Sequence, residues 1–304
     1  MLRDYIDFRG LGLLSPILFT LASTSVADAR PILVNPVVAT NGAIIVQADT
    51  VRFAGAISSL RFNGFEYVNT VDHGRELQSA VSFDNLGECW NPTEAGSRAD
   101  GSGPLSSSVF VGGTITSKSK FSTRALMANW LAPGDIVGCP GGALNPTIVS
   151  PDALTKTITI GAAGRSNVVR HEVTFEVRES HSSGVFEALT LYTSPSLGTP
   201  WTYDPRTRTL TKILFPQAEQ GLPVILSTAD GRFASGVWSA GLPQQGFPAL
   251  GYGAFYFPGD TAKWNCVYRM NDVPEGDYSF TVYSFFGTVA DVTKSMDAVY
   301  ARAR

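Results

Sequence analysis

The chain has 304 residues and a formal net charge of −3 at pH 7, with 16% charged and 44% hydrophobic residues. A weakly acidic chain without a basic cluster lacks the electrostatics that bind phosphate backbones, so nucleic acid is excluded as a partner. The length and the apolar content are sufficient for a large buried core.

The first 29 residues carry the features of a secretory signal peptide. Arg3 and Arg9 supply positive charge, residues 11–22 form an apolar run, and the Ala-Asp-Ala triplet at 27–29 matches a signal peptidase site. The run is shorter than the roughly 20 residues that span a bilayer; an N-terminal anchor or a buried helix is the alternative. We expect a soluble protein, secreted or periplasmic, with no integral membrane segment after removal of the signal.

Strand patterns dominate the rest of the chain. Asn63-Gly64 separates two β-prone runs and predicts a tight hairpin. In residues 168–179, His171 alternates with valines and a phenylalanine on one face while charged residues occupy the other, as in a half-buried antiparallel strand. Further strand-like runs, one with a turn at Asp230-Gly231, lie at 154–161, 185–194, 209–215, 223–239, 252–257, 265–270 and 277–287.

The clearest helical periodicity is in residues 291–304. Long Gly-, Pro- and Ser-rich connections occupy 84–107, 132–152 and 240–251, and connections of this length are typical of functional loops or of disorder. No linker interrupts the strands, so we predict one domain over residues 30–304. Its expected fold is all-β, a large antiparallel β-sandwich with a short C-terminal helix.

The cysteines favour one disulfide and one core thiol, because three of them follow the signal in a chain expected in an oxidising compartment. Cys89 and Cys139 lie in loop sequence, GECWNP and VGCPGG, and are the expected pair. Cys266 lies in an apolar strand-like run and is the expected thiol. No spacing typical of a zinc site is present, and no metal or other cofactor is predicted.

Two stretches resemble a known family. GAISSLRFNGFEYVNTVDHGRELQ, residues 55–78, is similar to the opening of galactose-mutarotase-like (aldose-epimerase-like) supersandwich domains, and VPEGDYSFTVYSFFGTVADVTKSMDAVY, residues 273–300, is similar to their end. The resemblance implies a carbohydrate site on the concave face of the larger sheet, in epimerases, lyases, glycoside hydrolases or non-catalytic modules. The epimerases use a histidine acid and a glutamate base, but the Asn-His context of that histidine is absent here.

Residues 72–97 concentrate polar side chains and are the predicted cleft. His73 and Arg75 flank Gly74, which can aim both into one cavity, where histidine transfers protons and arginine binds hydroxyls or carboxylates. The alternative is a local turn in which Asp72 and Arg75 form an ion pair.

Carboxylates and a tryptophan complete this cleft. Sugar cleavage needs two opposed carboxylates, and the candidates are Glu76, Glu88 and Glu94, although loop carboxylates commonly cap backbone amides instead. Trp90 offers a flat apolar face to a pyranose or, equally, pins the loop to the sandwich. Gln78 and Asn91 would add hydrogen bonds at the ring edge, and a second aromatic pair is formed by Trp201 and Tyr203.

His171 is either a core histidine or, if its face of the strand looks into the cleft, the acid. We therefore predict a carbohydrate ligand, with His73, Glu94 and His171 as the catalytic candidates for general acid–base chemistry on a sugar. A non-catalytic carbohydrate-binding or adhesion module, or a structural envelope protein, is the alternative.

Overall fold

The computed structural model of the protein describes residues 29–303. The predicted signal therefore lies outside the described residues, except for its last alanine. Within the described range the chain forms twenty strands and one α-helix, and that helix is not long and apolar enough to cross a membrane.

The elements follow one another in a nearly all-β order. They are β1 (Arg30–Pro31), β2 (Val37–Thr40), β3 (Ile44–Ala48), β4 (Ile57–Phe62), β5 (Phe65–Glu66), β6 (Leu77–Phe83), β7 (Pro92–Thr93), β8 (Val109–Ser117), β9 (Lys120–Asn129), β10 (Val149–Ile160), β11 (Val168–Val177), β12 (His181–Thr193), β13 (Thr199–Asp204), β14 (Thr209–Lys212), β15 (Ala218–Gln220), β16 (Val224–Ser227), β17 (Ala234–Trp238), β18 (Tyr252–Phe257), β19 (Thr261–Val273), β20 (Gly276–Gly287) and α1 (Val289–Arg302).

The strand pairing is antiparallel and builds two large sheets. Sheet I has the order β1-β8-β9-β10-β11-β20-β17-β16-β13-β14, and sheet II has the order β2-β3-β4-β6-β12-β19-β18-β15. The short strand β7 pairs with β6 on one side and with β9 on the other, and so links the two sheets.

The hydrophobic core lies between the sheets. Phe175 on β11 of sheet I and Phe186 on β12 of sheet II are both buried, and their ring centroids are 5.2 Å apart. Alternation along each strand places one set of side chains in this core and the other on an outer face. The predicted antiparallel β-sandwich is confirmed.

Local sequence signals account for several of the elements. The hairpin at Asn63-Gly64 joins β4 and β5, and both turn residues have a positive φ, as this type of turn requires. Helix α1 begins two residues earlier than the periodicity predicts. The reason is a capping box, in which the Thr288 side chain accepts from the backbone N–H of Asp291 and the Asp291 carboxylate accepts from that of Thr288.

The cysteine prediction is also confirmed. Cys89 and Cys139 form a disulfide, and Cys266 is a buried free thiol on β19. The bond ties the loop after β6 to the loop after β9.

Candidate functional site

A groove lies on the outer face of sheet II, above β6, β12 and β19. Its floor is formed by Gln78, Ala80 and Ser82 from β6, by Glu187, Thr190 and Tyr192 from β12, and by Lys263 from β19. Its walls include Gly87, Glu88 and Asn91 from the loop after β6 and Trp130 from the loop after β9, which the disulfide joins, together with Thr93 on β7 and Gly74 before β6; they enclose a cavity of about 270 Å³.

An irregularity in β12 sets which side chains face this groove. The pairing of β12 with β19 shifts between Glu187 and Leu189, and its pairing with β6 shifts between Glu187 and Thr190. Simple alternation would point Glu187 and Thr190 to opposite faces, but both line the groove. A bulge of this kind re-aims side chains and is common beside functional sites.

Glu187 and Lys263 form an ion pair on the groove floor. The Lys263 Nζ lies 3.3 Å from the Glu187 Oε2, and the side chains are 13% and 27% exposed, respectively. The Thr190 hydroxyl donates a further hydrogen bond to the same Oε2. The pair is therefore held in place but remains open to the groove.

Both members of this pair are stabilised in their charged forms. Burial alone would raise the pKa of Glu187, but the positive charge of Lys263 and hydrogen bonds from Thr190 and Asn265 outweigh it and lower the pKa. Burial alone would lower the pKa of Lys263, but the Glu187 carboxylate and Tyr192 outweigh it and raise the pKa. At neutral pH the floor thus presents a carboxylate acceptor beside an ammonium donor.

Two aromatic residues, Tyr192 and Trp130, line the same cavity as the pair. Tyr192 is the antiparallel neighbour of Lys263, whose Nζ lies 5.0 Å from the centroid of the Tyr192 ring. Trp130 lies close against the backbone of Gly74, where a Cβ would come within 2.7 Å of the tryptophan ring. A side chain at position 74 would displace the Trp130 ring.

A second compartment continues the groove beyond these rings. It has a volume of about 190 Å³, it shares Gly74, Trp130 and Tyr192 with the first, and it is completed by Asp72, Arg75, Phe257, Asp260 and Thr261. The Arg75 guanidinium pairs with Asp260 and lies 3.5 Å from the Asp72 carboxylate. The Asp72–Arg75 ion pair that the sequence offered as the alternative is thus present, and it lines a cavity.

Four of the predicted binding residues line this two-compartment groove: Gln78, Glu88 and Asn91 in the first compartment and Arg75 in the second. Glu76 precedes β6 but is fully buried and is not part of the lining. Trp90 packs edge-on against His181, with ring centroids 5.3 Å apart, so it pins the loop to the sandwich.

The three catalytic candidates lie outside the groove. His73 is buried against Phe53, and its Nδ1–H donates to the Gly101 carbonyl at 2.7 Å. Glu94 is buried with the Lys156 ammonium as its partner and also accepts from the Ser79 N–H. Burial raises the pKa of Glu94 and lowers the pKa of Lys156, while their mutual attraction opposes both shifts.

His171 is a core histidine. Its side chain is fully buried on β11, its Nε2 lies 2.8 Å from the Ser284 hydroxyl, and burial followed by the nearby Lys156 charge lowers its pKa well below the usual value. Trp201 and Tyr203 on β13 pack in a separate cluster with helix α1, where the Tyr203 hydroxyl donates to Asp297. None of these three side chains lines the groove.

The sequence analysis did not identify four residues that line the groove: Glu187, Tyr192 and Lys263 on its floor, and Trp130 in its wall. A weak signal for the floor exists, because Glu187 and Lys263 are single charges inside otherwise apolar strand sequence, VFEALTLY and AKWNCVY. Their meeting across β12 and β19 depends on a pairing that the sequence does not display.

No family model and no curated protein matches the chain. Solved structures that it resembles include a galactose mutarotase-related enzyme from Lactobacillus acidophilus, with 10% identity, a TM-score of 0.44, and coverage of 84% of this chain and 99% of that one. A glycosyl hydrolase family 38 protein from Enterococcus faecalis has 13% identity and a TM-score of 0.49, over 90% of this chain and 32% of its own.

A family 36 α-galactosidase from Geobacillus stearothermophilus has 8% identity and a TM-score of 0.42, over 84% of this chain and 42% of its own. A galactose mutarotase-related enzyme is thus among the solved structures that the chain resembles. The chain spans less than half the length of either glycosidase.

Proposed function

We propose that the protein binds a carbohydrate in the groove on sheet II. The observation that carries this proposal is the Glu187–Lys263 pair, which lies open to a cavity whose other sides include the rings of Trp130 and Tyr192. A sugar presents hydroxyl groups at its edge and C–H groups on its faces, and so needs both kinds of partner in one site.

Each floor group has a defined part in this recognition. The ionised Glu187 carboxylate accepts hydrogen bonds from sugar hydroxyls, and the Lys263 ammonium donates to hydroxyl or ring oxygens. Gln78 adds an amide at the same floor. Because Thr190 and Lys263 already orient Glu187, little conformational entropy is lost when a ligand binds.

In the catalytic form of this proposal, residues of the same groove carry out general acid–base chemistry on the bound sugar. Glu187 would then be the base, because its lowered pKa keeps it ionised, and Glu88 on the loop wall is a second carboxylate in the same cavity. A non-catalytic carbohydrate-binding module uses the same contacts without turnover. An exported location is part of the proposal, and the Cys89–Cys139 bond supports it since disulfides persist in oxidising compartments.

Glycan binding by the Glu187→Gln variant tests this assignment. We expect at least about a tenfold loss of affinity, because hydrogen bonds to a charged group contribute about 1.5–3 kcal/mol. The matched control is Glu172→Gln, which removes a half-exposed carboxylate from the outer face of sheet I. Isothermal titration against neutral sugars measures binding, and chromatography of the same mixtures reports any product.

The outcomes separate the two forms of the proposal. Product that forms with the wild type and is lost in Glu187→Gln identifies the catalytic form, whereas binding without product identifies the binding module. Unchanged binding by Glu187→Gln, or no sugar binding at all, contradicts the proposed site.

A further inference from the structure

The groove has two compartments of similar make-up, arranged in a row. Each contains a cation paired with a carboxylate, Lys263 with Glu187 in the first and Arg75 with Asp260 in the second. Trp130 and Tyr192 line both compartments and therefore lie at the junction. A single sugar ring would use one compartment and leave the other unfilled.

We propose that the groove binds two consecutive units of a neutral oligosaccharide, with the second unit beside Arg75, Phe257 and Asp260. This inference rests on the proposed function and names the ligand class of that same site. The first unit contacts Glu187 and Lys263, and the linkage crosses the junction.

Phe257 gives the second compartment its own apolar surface. The side chain is 45% exposed at the end of β18 and lines the second cavity. It lines the same cavity as the Arg75–Asp260 pair. The second compartment therefore combines an apolar ring with hydrogen-bonding groups, as the first compartment does. Exposed aromatic surface of this kind is suited to the C–H face of a sugar.

The charges of the two compartments favour a neutral ligand. Both cations are already paired, Lys263 with Glu187, and Arg75 with Asp72 and Asp260. Glu88 adds a further carboxylate to the first compartment. Carboxylates thus outnumber cations in the lining, so an acidic sugar would meet repulsion and no unpaired cation.

The backbone at Gly74 fixes the junction between the compartments. Because a Cβ at this position would overlap the Trp130 ring, the ring can lie directly on the chain between the two cavities. Gly74 and Trp130 line both compartments and so mark the junction between them.

Titration with sugars of increasing chain length tests whether a sugar unit binds in the second compartment. The probes are glucose with maltose and maltotriose, glucose with cellobiose and cellotriose, and mannose with mannobiose, titrated into the full chain. We expect one series in which the disaccharide binds at least about tenfold more tightly than its monosaccharide, with little further gain for the trisaccharide. Phe257→Ala should remove that gain and leave monosaccharide binding unchanged.

Two further variants make the result specific. Arg75→Ala should behave as Phe257→Ala does, whereas Arg232→Ala, an exposed arginine paired with Asp230 in the turn between β16 and β17, should leave both affinities unchanged. Phe257→Ala is the decisive variant, since an exposed side chain can be truncated with little effect on folding.

The failures of the two proposals are distinguishable. A monosaccharide that binds as tightly as its disaccharide, with a loss in Glu187→Gln and none in Phe257→Ala, overturns the two-unit ligand and leaves the carbohydrate site standing. Absence of binding by every sugar in every series contradicts both.

Discussion

Glu76 shows how strongly burial can change the protonation of a carboxyl group. It lies between two groove residues in sequence, Gly74 and Gln78, but its side chain is fully buried and neither carboxylate oxygen has a hydrogen-bond partner among the described residues. Burial, followed by the negative charge of Asp72, raises its pKa well above the usual value. Glu76 therefore holds a proton in the folded protein under conditions in which the unfolded chain releases it.

The Glu76→Gln variant should be more stable than the wild type above mildly acidic pH. Because the folded pKa of Glu76 lies above its unfolded pKa, its contribution to stability is fully present below the unfolded pKa and is lost as the pH rises through the folded one. Glutamine mimics the protonated side chain and has no proton to lose. Urea unfolding at pH 4 and pH 8 should show similar stabilities at the lower pH and a more stable variant at the higher one.

A matched substitution of Glu172, the half-exposed carboxylate on β11, controls for the loss of one charge and should follow the wild-type pH profile. If Glu76→Gln loses stability with pH as steeply as the wild type does, Glu76 is not a buried acid.

The catalytic candidates are buried polar residues, and their burial could not be predicted from the sequence. His171 alternates with valines, a pattern that fits a core face and a ligand-facing surface equally well, and only the packing of β11 against sheet II makes it a core residue. Glu94 meets its partner Lys156 from 62 positions away. The sequence around Glu94 therefore gives no sign that its side chain is buried or that Lys156 is its partner.

At the scale of elements, the disulfide is the main constraint on the groove walls. It joins Cys89 in the loop that carries Glu88 and Asn91 to Cys139 in the loop that follows Trp130, at a sequence separation of 50. Trp90 packs against the main core, and the loops otherwise pack through a small cluster that includes Leu131 and Ala143, with Cys89 and Trp130 against it. Their order should therefore depend on the bond.

Removal of the bond in the Cys89→Ser, Cys139→Ser double variant should lower the stability by about 2–4 kcal/mol, since the cross-link limits the unfolded chain. For a chain of this size that corresponds to a loss of about 3–7 °C in Tm. Differential scanning calorimetry measures the loss. Reductant should lower the Tm of the wild type and have no effect on the double variant.

Equal Tm values for the two proteins under oxidising conditions would contradict a structural role for the bond. Sugar binding gives a second readout, because looser walls should weaken it in the double variant while Glu187 and Lys263 remain in place.

Elements with local determinants were predictable and those set by pairing were not. The Asn63-Gly64 hairpin and helix α1 follow from turn chemistry and from 3.6-residue periodicity. The bulge in β12 arises only when that strand pairs with β6 and β19, and it is this bulge that brings Glu187 and Thr190 to one face. The main polar residues of the groove floor were missed for that reason.

For the whole molecule, composition and strand patterning were sufficient to predict an antiparallel sandwich. They were not sufficient to give the order of its strands, in which β6 lies beside β12 and β11 beside β20. These pairings join residues more than a hundred positions apart, as between Leu77 and Leu191. The groove is a product of that order, because its floor draws on three strands that are distant in sequence.

A crystal structure of the protein with the tightest-binding neutral disaccharide tests the central claim most directly. The account predicts one sugar ring against Trp130 with a hydroxyl within hydrogen-bonding distance of Glu187 or Lys263, and the second ring beside Phe257. A sugar bound on another face, or an empty groove at a saturating concentration of ligand, would contradict it.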